Sequence, residues 1–184
     1  MINFVKAIIL STIFLCFLIS SANTITSEVE VGFSPNRYDT SNLKSPLDII
    51  LECIRETKKS ILVATYIFTS KQISLALLEA HKRGVHIRII ADAKSNLGKY
   101  SSITFLANHG ILVRTNAHYA IFHHKFMIFD DKHIETGSFN YSDAAFNKNA
   151  ENILLLRNAQ DIVMTYKQEW NRLWNESDKF KIAY

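Results

Sequence analysis

The residues best suited to chemistry fall in one short stretch, from His123-His124-Lys125 to Gly137-Ser138-Phe139-Asn140. His123 and Lys125 stand two apart at the head of the apolar run Phe126-Met127-Ile128-Phe129. Such a run predicts a buried strand, and residues two apart on a strand share a face. An imidazole and an ammonium then emerge together from a rigid floor. Thr136-Gly137-Ser138 ends the next predicted strand, where Gly137 allows a tight backbone. Ser138 and Asn140 offer a hydroxyl and an amide to the same region. With Lys125 they can donate hydrogen bonds to the non-bridging oxygens of a phosphodiester in its transition state. A neutral imidazole, which an ordinary pKa of about 6.5 makes available near pH 7, can attack phosphorus. A carboxylate on the other ring nitrogen would fix its tautomer, and Glu151, at the head of another apolar run, is the candidate.

The neighbouring histidines read differently. His124 alternates to the face opposite His123 and is expected to be structural. His118, His123, His124 and Asp130 lack the spacing of a helix-borne zinc motif, and Lys125 repels a cation, so no metal or cofactor is expected. His81, His86, His109 and His133 are scattered and read as surface or satisfied side chains. Lys94 and Lys99 lie in a polar loop after a predicted strand, where grooves form, and are candidates for contacting substrate phosphates.

These groups need a frame to hold them. Val29–Phe33 predicts a short strand stopped by Pro35. Ser45-Pro46 is a cap with proline in the first turn, opening a helix to about Thr57. Ser60–Phe68 reads as a buried strand and Ser70–Arg83 as a helix ended by Gly84. Val85–Ala91 alternates, with His86 and Arg88 on one face. A helix leading to Gly110 and a strand over Ile111–Arg114 follow. Phe126–Phe129 and His133–Thr136 read as strands joined by Asp130-Asp131-Lys132. After a strand over Glu151–Leu156, Asn158 caps a last amphipathic helix ending near Trp174. The alternation of elements predicts an α/β fold with a mixed β-sheet flanked by helices on both faces.

The bulk numbers are those of one ordinary globular domain: 184 residues, 48% hydrophobic, 21% charged,. An excess of 21 Lys+Arg over 17 Asp+Glu suits a polyanion or an anionic membrane surface, and equally suits plain solubility,. Residues 1–22 read as a signal peptide. Lys6 precedes the uncharged run Ala7–Ile19, and Ser20-Ser21-Ala22 supplies small residues for cleavage,. The run is shorter than the ~20 residues of a spanning helix, and an uncleaved anchor is the alternative to a cleaved leader. The expected division is thus a leader over 1–22 and a domain over 23–184, periplasmic or secreted from a bacterium. Cys53, with Cys16 in the leader, forms no internal disulfide and reads as a buried thiol.

The chain resembles the phospholipase D superfamily. His123, Lys125, Asp130, Gly137, Ser138 and Asn140 carry its hallmark, a six-residue coincidence expected about once in ~10⁸ starting positions. The likeness is to small bacterial Nuc-type endonucleases with one motif per chain. It spans Val31 to about Trp174, including Val31-Gly32-Phe33-Ser34-Pro35 and Lys148-Asn149-Ala150-Glu151-Asn152. It implies metal-independent hydrolysis of a phosphodiester through a phosphohistidine, with a second histidine as acid and then base. It also implies a homodimer sharing one site, since this chain holds the motif once. By the same analogy His123 is nucleophile or acid, Lys125 and Asn140 hold phosphate, Ser138 assists and Glu151 orients His123. Asp130 belongs to the motif and so to the expected catalytic set, but its place after the strand suggests a structural role or one that supports the catalytic groups from behind. Nucleic acid is the expected substrate, with a phospholipid such as phosphatidylcholine as the alternative. A silent binding module is disfavoured by the intact motif.

Overall fold

The computed structural model describes residues 27–35, 43–98 and 101–181. The leader and Lys99 lie outside the described residues. The elements in chain order are β1 (Glu28–Ser34), α1 (Pro46–Glu56), β2 (Ser60–Thr65), α2 (Lys71–Lys82), β3 (His86–Asp92), α3 (Ser102–Asn108), β4 (Leu112–Asn116), β5 (Lys125–Phe129), β6 (His133–Gly137), α4 (Asp143–Asn147), β7 (Glu151–Arg157), α5 (Gln160–Glu176) and β8 (Asp178–Lys179). The strands form one sheet in the order β1-β7-β6-β5-β2-β3-β4-β8. β2, β3 and β4 run parallel, whereas β5, β6, β7 and β1 pair antiparallel beyond them. The expected α/β architecture with a mixed sheet between helices is what forms.

Alternation along the strands builds two cores. Ile61, Val63, Met127 and Phe129 face a layer that includes Ile50 and Ile54 of α1, Ile73 and Leu77 of α2 and Leu106 of α3. Leu62, Ala64, Phe126 and Ile128 face Val163, Trp170 and Leu173 of α5. Trp170 is fully buried and its indole N–H donates to the Val63 carbonyl at 3.0 Å. It stacks on Trp174 with centroids 4.9 Å apart, and Arg88 lies over Trp170 at 4.7 Å. The two tryptophans are thus packing residues. Cys53 is buried, which pushes its thiol up to about 12.

The local signals act as expected at several ends. Ser45 accepts from the Asp48 N–H and Ser70 from the Ile73 N–H. Gly84 takes φ +92° at the end of α2, a conformation that favours glycine,. Two expectations need correction. β2 stops at Thr65 rather than reaching Phe68, because Asn96 bends the chain out of the sheet. Its amide donates to the Tyr66 carbonyl at 2.6 Å and accepts the Phe68 N–H at 3.1 Å. Asn158 does not cap α5; it sits in the left-handed region at φ 53°, and its N–H donates to His133 Nδ1 at 3.0 Å. α5 starts at Gln160 without a side-chain cap. Short α4 and β8 were not foreseen.

Candidate active site

The carboxyl ends of β2 and β3 meet the amino end of β5 at one end of the sheet, the kind of place where open α/β sheets bind ligands,. Lys125 opens β5 opposite Thr65, the last residue of β2. β6 ends beside it at Gly137, and β7 begins there at Glu151. Gly137 is obligatory here, since a Cβ would lie 2.2 Å from the Asn152 carbonyl oxygen. This close approach lets the Ser138 hydroxyl accept the Asn152 N–H at 3.1 Å, which fixes its direction.

His123 is exposed while Lys125, two residues on, is only 6% exposed. The Lys125 ammonium donates to the His123 carbonyl at 2.8 Å and lies 5.1 Å from the Tyr66 ring centre. Burial pushes this ammonium below its ordinary range, and the charge of Glu151 opposes that shift. Tyr66 also packs against the His123 imidazole, with ring centres 4.7 Å apart. Asn140 keeps a buried carboxamide oxygen without a hydrogen-bond partner. An exposed imidazole, a buried cation and a carboxamide with an unpartnered oxygen thus share one end of the sheet. That set can bind and attack an anionic ester.

The other expected residues fall in distinct places. Glu151 accepts from the Asn149 side chain at 3.0 Å and acts electrostatically on Lys125. Among the described residues no hydrogen bond joins it to His123. His124 faces the α5 side, edge-on to Phe122 and Phe126, and burial lowers its pKa. Asp130 lies at the far end of β5. It accepts the N–H groups of Lys58, Lys59 and Ser60 at 2.9, 2.6 and 3.0 Å. Burial raises its pKa, but these three donors outweigh it and the net shift is downward. Lys94 is exposed in the turn after β3. Among the described residues no group of three or more His, Cys, Asp and Glu is arranged to hold a metal.

Two contributors escaped the sequence. Tyr66 lies beyond the strand proper, where only the distant Asn96 reveals its bend. Asp92, buried at the end of β3, accepts the Phe122 N–H at 2.9 Å and the Ser95 N–H at 2.7 Å. Burial raises its pKa, but the N–H donors bring the net shift down. It ties the segment entering His123 to the turn carrying Lys94. A carboxylate ending a parallel strand was the available signal.

A family model described as "Cardiolipin synthase, PLD-like domain" matches residues 50–174. The chain belongs to the phospholipase D superfamily. Among superfamily relatives, the mitochondrial cardiolipin hydrolase of Mus musculus is 32% identical over 141 residues, 77% of this chain and 63% of its own. The chain thus spans less than two thirds of that relative. A phospholipase D of Rickettsia conorii is 31% identical over 144 residues, 78% of this chain and 68% of its own. In structure, the phospholipase D family member Nuc from Salmonella typhimurium matches with a TM-score of 0.77 at 34% identity. That match covers 85% of this chain and 99% of Nuc.

Proposed function

We propose that the chain is a phosphodiester hydrolase whose nucleophile is His123. The observation that carries this reading is the pairing of an exposed imidazole with the buried Lys125 ammonium. His123 attacks phosphorus and forms an N–P bond while the ester P–O bond breaks. A second histidine donates its proton to the leaving oxygen. That histidine then takes a proton from water, whose oxygen attacks phosphorus and frees His123. Lys125, Ser138 and Asn140 hold the non-bridging oxygens, and Glu151 is the proposed orienting carboxylate, although no hydrogen bond joins it to His123 among the described residues,. Lys125 supplies the positive charge, so no metal or cofactor is needed.

The second histidine is proposed to be His123 of another copy, in a homodimer built around one site. The outer face of β1 supports this. Val29, Val31 and Phe33 are exposed, as is Leu154 of β7 opposite Val31. This apolar stripe runs to Phe33, which pairs with Asn152, whose N–H in turn bonds Ser138. Ile162 and Met164 of α5 are also exposed. Apolar surface running up to an active site is suited to a symmetric contact that buries both.

Nucleic acid is the proposed substrate, supported by the excess of basic residues and the likeness to Nuc,. Phospholipid is the second reading. Tyr119 and Ile121 are exposed just before His123, and several relatives are named cardiolipin hydrolases. The leader expected over residues 1–22 supports a bacterial periplasmic or secreted location, and Lys94 and Lys99 are proposed to meet substrate phosphates. Purified protein assayed in parallel on single- and double-stranded DNA, RNA, and phosphatidylcholine and cardiolipin vesicles decides between the substrates. Nucleic acid cleavage without lipid turnover is expected. Lipid turnover alone establishes the second reading, and hydrolysis of neither class overturns both.

A further inference from the structure

Beneath the site lies a buried acid that the proposed chemistry does not use. Glu135 of β6 is fully buried, with Met127 and Leu155 opposite it on the neighbouring strands. One carboxyl oxygen accepts the Tyr141 hydroxyl at 2.9 Å, and the other has no partner. Tyr141 is fully buried too and directly follows Asn140. Its carbonyl accepts the N–H groups of Thr69 and Ser70, both at 2.9 Å. It also pairs with Phe68, two residues from Tyr66. A single phenol-carboxyl contact therefore anchors two segments, one bearing Asn140 and the other bearing the ring that packs on His123 and Lys125.

We propose that Glu135 is a positioning residue that sets Asn140 and the Tyr66 segment against His123 and Lys125 through Tyr141. The proposal rests on the hydrolytic reading of that site. Its physical basis is desolvation, since an ionised carboxylate with one donor and an apolar wall is costly to bury. Burial pushes the Glu135 carboxyl up to about 8, and the Tyr141 hydroxyl opposes that shift. The titratable groups facing it are Tyr141 and, from α1, the Cys53 thiol. Burial pushes the thiol up to about 12 and the phenol well above its usual value. Both stay neutral while Glu135 ionises. Ionised, Glu135 accepts the Tyr141 hydroxyl more strongly, but its other oxygen then carries charge against an apolar wall, which favours an opening that admits water and moves the Asn140 segment,.

The test uses the full chain, Glu135→Gln and Tyr141→Phe, with bis(p-nitrophenyl) phosphate as the phosphodiester. Glutamine keeps an acceptor for Tyr141 and cannot ionise. It should match wild type near pH 6.5 and keep its kcat above pH 8, where wild type declines. Tyr141→Phe should lower kcat by about ten- to a hundredfold with a smaller change in KM, the scale of a misplaced catalytic group. Thermal unfolding against pH gives a readout independent of activity. A carboxyl whose folded pKa is raised stabilises the fold at low pH and loses that contribution as pH rises through its folded pKa. Wild type should therefore lose stability between about pH 4.5 and pH 8, and Glu135→Gln should lack that fall. Identical alkaline limbs, or an unchanged kcat in folded Tyr141→Phe, overturn the proposal, as do identical pH slopes of unfolding. If wild type hydrolyses nothing, the hydrolytic reading fails, and the unfolding slopes still decide the state of Glu135.

Discussion

β5 joins two polar ends of very different character. At its start Lys125 is buried beside an exposed imidazole, and the Asn140 carboxamide oxygen is buried without a partner. Just past its other end Asp130 collects three backbone N–H groups from the chain entering β2. Near Asp130, Arg157 binds Glu30 and Glu56 and ties β7 to β1 and α1. Both ends carry residues of the same six-residue motif. One end spends its carboxylate on backbone N–H groups, whereas the other, though Lys125 and Ser138 each make a bond to the chain, keeps part of its capacity free. Unspent hydrogen-bonding capacity, costly to bury, marks where a ligand is expected.

The sharpest way to break this contrast is to remove His123. His123→Ala should lower hydrolysis by about 10⁴-fold or more while the fold stays intact, because the side chain is exposed and outside the two cores,. Circular dichroism together with turnover checks it, and wild-type-like rates in the folded variant would sink the mechanism. Lys125→Met should cost about 10²–10³-fold in kcat, the scale of one lost oxyanion donor, without unfolding the chain. Replacing either group should spare the Asp130 end.

The opposite substitution sharpens the contrast from the other side. Asp130→Asn should cost about 1–3 kcal/mol of stability at neutral pH and leave the kcat of folded protein near that of wild type. Asp130 has a depressed pKa in the fold, so its contribution is present above its unfolded pKa of about 3.9 and vanishes as pH falls through the folded value. The stability curves of wild type and variant should converge in acid. A large loss of kcat with no loss of stability would move Asp130 into the chemistry.

The smallest effects are expected from His124→Ala and from chelators. His124 faces Phe122 and Phe126, so its loss should leave most activity. EDTA should change nothing if Lys125 is the site's cation. Complete inhibition reversed by a divalent ion would overturn that.

The same contrast explains what the sequence could disclose. Functions set by neighbours in the chain were legible, including the Ser45 cap, the Gly84 stop, the shared face of His123 and Lys125, and the opposite face of His124. Contacts between distant segments were not. Nothing near Tyr66 in sequence announces that Asn96 bends it toward His123. Glu135 reads as an ordinary strand residue until Tyr141 is seen to reach it. Asn158 is ambiguous in sequence because asparagine suits both a helix cap and a left-handed turn, and only the His133 contact separates the two,. α4 and β8 are too short to show a period.

His123 of two copies is proposed to complete one site. Mixing His123→Ala with wild type under conditions of proven subunit exchange tests it most directly. Activity should follow the fraction of wild-type pairs, falling to about a quarter at equal mixing when both histidines are required. A fall only to one half despite exchange, or full activity from a monomer, would contradict the shared site.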